Sequence, residues 1–249
     1  MTRRIGLLAV LGLLALALPA AAAPQAPQQP GALNLSLDGV GTVSAPLQVV
    51  LLLTLLTFVP AILVTMTSFT RIAIVFHFLR QALGTQEMPS NQILVGLSLF
   101  LTLFVMAPVG DRIASVALQP AMAGQIGVSE AVGRAAPPLR DFMLRQTREA
   151  DLALFVDLAR QPKPASRDEL SMRIVIPAFI VSELKTGFQM GFFLFVPFVL
   201  IDLIVSTTLL SMGMMQLPPM MVSLPFKVLL FVMIDGWNLL VGSVVRSFA

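Results

Sequence analysis

The sequence predicts an all-α, membrane-type fold: helical hairpins built from about four long apolar helices, with a polar helical segment on the extracytoplasmic side. Three observations predict it. Of 249 residues, 57% are hydrophobic and only 12% charged, against roughly a quarter charged in ordinary soluble domains. Apolar runs fall near 46–66, 91–110, 187–210 and 222–245, each close to the ~20 residues that cross a hydrocarbon core of about 30 Å. The charges gather between the second and third runs, where Asp111 to Lys185 holds ten Lys/Arg and nine Asp/Glu.

The same composition excludes several functions. No cysteine is present, so neither a disulfide framework nor a thiolate metal site is available. The single histidine, His77, cannot build a His cluster. A net charge of +3 without a long basic run gives no footing for nucleic acid. No metal, cofactor or catalytic motif of the common classes is found, and the expected protein is not an enzyme.

Residues 1–23 have the form of a secretory signal: Arg3-Arg4, an apolar run from Ile5 to Leu18, and the small residues Pro19 to Ala23. An uncleaved anchor is the alternative. Residues 24–44, rich in Pro and Gln at their start, read as a flexible extracytoplasmic tail. Residues 45–110 make a first helical hairpin. Its connection, Thr67 to Ser90, sets Arg71, Arg80 and His77 against Glu87, and a Lys/Arg excess places a short loop on the cytoplasmic side. Residues 111–186 are the extracytoplasmic helical segment. Within it Leu139, Phe142, Met143, Leu152, Phe155 and Val156 have the spacing of one amphipathic helix from Leu139 to Arg160. Ser166 and Glu169 form a capping-box start for a following helix. Residues 187–249 make a second hairpin, whose tip reads SMGMMQLPPMM from Ser211 to Met221. Pro60, Pro108, Pro197 and Pro225 lie in or at the ends of the apolar runs, and interior prolines are tolerated where neighbouring protein meets the freed carbonyls.

Ionisable groups inside apolar runs are functional candidates by default, and here they are Asp202, Lys227 and Asp235. Counted from Gln216, Asp202 lies 14 residues back and Lys227 11 forward, a depth difference of about 4.5 Å. A buried charge pair across the hairpin is feasible; a proton or ion path through Asp202 and Asp235, as in a small ion-coupled membrane transporter, is the alternative. Ser223 and Lys227 share a helix face, as a serine–lysine dyad would, but lack an oxyanion-hole signal. Gly187 and Gly191 form a G-x-x-x-G pair for close helix packing, within the chain or between subunits. Met212, Met214 and Met215 are flexible, polarizable side chains. They serve either ordinary packing or an apolar seal, which several copies would have to build around an axis.

Four segments carry a resemblance that covers most of the chain: TSFTRIAIVFHFLRQALGTQ from Thr67, FMLRQTREADLALF from Phe142, PAFIVSELKTGFQMGF from Pro177 and LPFKVLLFVMIDGWNLLVGS from Leu224. The sequence resembles the FliP/SctR family of type III export-gate components. The signal peptide and the LRQTREADL stretch favour the flagellar branch over the injectisome one. The resemblance implies a non-enzymatic channel subunit that assembles as five copies with FliQ and FliR, beside FlhB and FlhA, and passes unfolded flagellar proteins. It implies a place in the bacterial inner membrane and flagellar basal body, with a substantial periplasmic part. It also implies that Met212, Met214 and Met215 form a pore gasket. Gln216 stands where the family pattern often continues with another methionine, while Met220 and Met221 either compensate or pack.

Overall fold

In the computed structural model, which describes residues 45–249 except 86–87, 161–165 and 215, every regular element is a helix. The expected signal peptide and tail lie outside the described residues. Helices α1 (Ala45–Met66) and α2 (Phe69–Leu83) form a bent pair, meeting at 68°. Hydroxyls stabilise the bend. Thr67 Oγ donates to the Leu63 carbonyl and Thr70 Oγ to that of Val64, occupying acceptors that a continuous backbone would have filled.

The stretch expected to be a cytoplasmic connection, Thr67 to Ser90, is therefore mostly helix. Ile72, Val75, Phe76, Leu79 and Leu83 recur at helical spacing and are all buried. This stripe makes α2 the central element, packed along α7 and α3. Arg71 is buried with it, so it is no loop charge and lends the expected sidedness no support. α2 closes at Gly84, which adopts the left-handed φ of 71° that glycine accepts without strain.

Helix α3 (Asn91–Ile113) continues through a π-turn (Ala114–Leu118) into α4 (Gln119–Met122) as one apolar rod of 32 residues. The amphipathic helix expected from Leu139 to Arg160 is instead two helices, α5 (Val128–Gln146) and α6 (Glu149–Leu158). Thr147 turns its hydroxyl back to the Met143 carbonyl, and Arg148 is extended and gives its N–H to Ser182 Oγ at 3.1 Å. Glu149 and Asp151 then sit in the first turn of α6, where the helix dipole favours carboxylates. Ser166 starts a shorter element than expected, with the Glu169 N–H bonded to its carbonyl at 3.3 Å. Arg167–Glu169 is a single 3₁₀ turn, and α7 begins at Met172 after Ser171.

Helix α7 (Met172–Ser211) is 40 residues long, about 60 Å at 1.5 Å per residue. The apolar run expected from 187 is only its second part. Its first part buries Ile174, Val175, Ala178 and Phe179 against α5 and α6, so charged neighbours such as Glu183 and Lys185 do not interrupt it. α8 (Pro219–Met233) and α9 (Gly236–Arg246) form a second bent pair at 65°. By length and composition two helices can cross a membrane, and up to four spans exist if each bent pair counts as one.

Two hydrophobic clusters organise these elements. One gathers α2, α3, α7, α8 and α9 around Phe76, Phe198 and Phe231. The other gathers α3, α5, α6 and the start of α7 around Phe142, Met143 and Phe179.

Candidate functional site

The tip between α7 and α8 is built by its backbone. The N–H of Met214 bonds to the Leu209 carbonyl and that of Gly213 to Leu210, both at 3.0 Å, with Gly213 left-handed at φ 74°. This is a Schellman closure, in which glycine ends the helix and its last carbonyls are met within the turn. Thr207, Thr208 and Ser211 return their hydroxyls to carbonyls of the same helix. The end of α7 therefore satisfies its own hydrogen bonds. Pro218 and Pro219 begin α8, Pro219 standing where a missing N–H costs nothing. Met212 is 66% exposed, Met214 43%, and Met220 and Met221 are also exposed. Met215 lies outside the described residues.

Between the tip and the bend of α8 lies a charge cluster. Lys227 Nζ is 2.6 Å from Asp202 Oδ2, and Ser223 donates to Asp202 Oδ1 at 2.5 Å. Both carboxylate oxygens are thus engaged, and the serine donates to the carboxylate rather than to the amine, an arrangement that leaves the dyad without an activated nucleophile. The Lys227 side chain is almost wholly buried, at 4% exposed, while that of Asp202 is 32% exposed. A Cβ built on Gly84 would lie 3.7 Å from Lys227 Nζ, so the ammonium sits by the C-terminus of α2, where a cation is favoured. Three helices meet at this lysine. Asp235 is elsewhere, exposed at the break between α8 and α9 with φ 51°. It lines a depression of about 570 Å³ with Asn238, Leu239, Ser243 and Arg246. His77 bonds Gln81 at 3.1 Å on an exposed part of α2.

Gly187 and Gly191 face α2. A Cβ at Gly187 would come within 3.2 Å of Ile74, and one at Gly191 within 2.5 Å of the Phe78 ring. Ile74 and Phe78 are four apart, as the glycines are, so two side chains of α2 fill two gaps of α7.

Sequence reasoning missed the most buried ion pair among the described residues. Arg71 grips Glu183 with two nitrogens, and their side chains are 3% and 0% exposed. Asp151, also buried, pairs with Lys185. The available signal was that Arg71 and Glu183 each stand inside an apolar helical stripe, TRIAIVFHF and AFIVSELKTGF.

A family model described as the FliP family matches residues 52–244. The chain belongs to the FliP family. It is 52% identical over 222 residues to the flagellar biosynthetic protein FliP of Pectobacterium carotovorum subsp. carotovorum, covering 89% of this chain and 86% of that one. The FliP of Bacillus subtilis (strain 168) is 51% identical over 206 residues, covering 83% of this chain and 93% of the relative. That of Caulobacter vibrioides is 45% identical over 248 residues, covering 99% and 91%. These FliP relatives are named for flagellar biosynthesis, which agrees with the flagellar branch that the LRQTREADL stretch favours. The matched span contains all of α2 to α8, and hence both the methionine tip and the charge cluster.

Proposed function

We propose that this chain is a non-enzymatic, channel-forming subunit of the flagellar type III protein export gate. Several copies, five by the family pattern, assemble with FliQ and FliR beside FlhB and FlhA and pass unfolded flagellar proteins. Met212, Met214 and Met215 seal the constriction. The observation that carries this reading is the self-satisfied end of α7, which leaves Met212 and Met214 exposed among the described residues. Apolar, flexible side chains meeting around an axis exclude ions when closed and yield to chains of varied shape when open.

Length supports the placement of the subunit. At about 60 Å, α7 is twice the hydrocarbon thickness. Part of it must then stand outside the bilayer, in accord with a periplasmic portion above the inner membrane. The family assignment supports the setting, a flagellar component in a membrane. Residues 111–186 are the extracytoplasmic segment on this reading, and residues 1–23 the signal that delivers it. An ion-coupled transporter would use Asp202 and Asp235 together, but both oxygens of Asp202 are held by Ser223 and Lys227, and Asp235 lies apart at the break between α8 and α9.

A single introduced cysteine tests convergence, because the chain has none of its own. In purified complexes, Met214→Cys is expected to form disulfides between copies on mild oxidation. An introduced thiol that reacts with a soluble maleimide yet never links two copies would place the tips apart and remove the seal.

A further inference from the structure

Arg71 reaches beyond Glu183. A guanidinium carries five N–H donors, and five acceptor contacts meet this one. Two are the Glu183 carboxylate oxygens and one is Gln146 Oε1 at 3.1 Å. The other two are the carbonyl and hydroxyl oxygens of Ser247, each 2.9 Å from the same terminal nitrogen. The Phe248 ring lies 3.9 Å from the guanidinium carbon and stacks on Phe142 at 6.4 Å. The Phe248 carbonyl also accepts from Gln146 Nε2 at 3.1 Å.

These partners come from different places in the chain. Arg71 is on α2, Phe142 and Gln146 on α5, and Glu183 on α7, while Ser247 and Phe248 follow α9. Phe248 packs against both hydrophobic clusters. If the segment left, the nitrogen facing Ser247 would lose both its acceptors inside a buried site, a costly state for a charged donor. The cation would also lose its aromatic face.

We propose that Ser247–Phe248 is a strap that closes over Arg71 and fixes α5 against α2 and α7. With the strap docked, the polar helical segment and the long apolar helices move as one body; with it undocked, α5 opens locally while α8 keeps its own packing. The proposal stands apart from the channel reading, since the methionine tip takes no part in it.

Hydrogen exchange on the full chain in lipid nanodiscs tests it, comparing wild type with Phe248→Ala and with the double variant Ser247→Ala/Phe248→Leu. The double variant keeps apolar bulk and removes only the ring and one acceptor. Exchange at 142–146 and 180–184 is expected to quicken about tenfold in Phe248→Ala and by less in the double variant, as for a local opening. Protection at 226–232 should stay at the wild-type level. Faster exchange confined to 244–248 would make the segment a passive tail and overturn the proposal. If Phe248→Ala loses protection everywhere, the double variant decides: wild-type protection at 142–146 in that protein overturns the strap.

Discussion

Lys227 and Asp202 depend on each other unequally. The lysine is buried with a single carboxylate partner, whereas the aspartate reaches solvent and also accepts from Ser223. Breaking a buried pair from one side costs about 3–5 kcal/mol, and replacing both members with apolar groups is often near neutral. Asp202→Leu is therefore expected to destabilise more than Lys227→Met, with Asp202→Leu/Lys227→Met recovering much of the loss. Unfolding midpoints and yields of purified complex measure this, and additive losses would contradict it. Crowding gives a second contrast between like residues. Gly191→Ala meets the Cβ and ring base of Phe78, and overpacking of that kind costs about 1–3 kcal/mol. Gly187→Ala meets Ile74 less tightly and should cost less. Phe78→Ala, which removes the ring and its base, should partly rescue Gly191→Ala but not Gly187→Ala. Asp202 and Lys227 are conspicuous in sequence because each interrupts a long apolar run. Glu183 is less so, since Lys185 lies two residues on, and Arg71 opens a stretch that reads as a short connection between apolar runs although its neighbours form an apolar stripe.

Helix α7 shows why element type was easier to read than element length. Its second part is uniformly apolar and reads as a span, but its first part carries Arg173, Glu183 and Lys185 and passes for polar chain. Only the partner supplied by α2 makes Glu183 compatible with a packed helix, while Lys185 is exposed and itself meets the buried Asp151 of α6. The break between α5 and α6 was hidden for the opposite reason. Apolar spacing runs through it, while the Arg148 N–H finds its partner on a distant helix. The end of α7 is the most local feature, resting on Gly213 at φ 74° with open space around its Cα. Gly213→Ala thus carries a backbone penalty and no clash, about 1 kcal/mol for a left-handed alanine. Asparagine tolerates that conformation better. The expected order of thermal stability is Gly213, then Gly213→Asn, then Gly213→Ala, and an alanine variant as stable as wild type would show that the turn relaxes freely.

At the scale of the whole molecule, the single chain leaves much apolar surface uncovered. Phe100, Leu103 and Phe104 of α3 and Phe188, Phe192 and Phe193 of α7 are exposed, as are the described methionines of the tip. Lipid and neighbouring subunits are the occupants that the proposed export gate supplies. The tip differs from the other exposed faces, because its backbone is closed on itself and its methionines are held at the far end of a rod about 60 Å long. The most direct test of the proposed seal is ion leakage through assembled complexes carrying Met212→Ala, Met214→Ala and Met215→Ala together. Complexes of wild-type composition with raised conductance to small ions are expected, and an intermediate level when the three are leucine. Complexes that assemble and conduct no more than wild type would contradict it and return these methionines to ordinary packing.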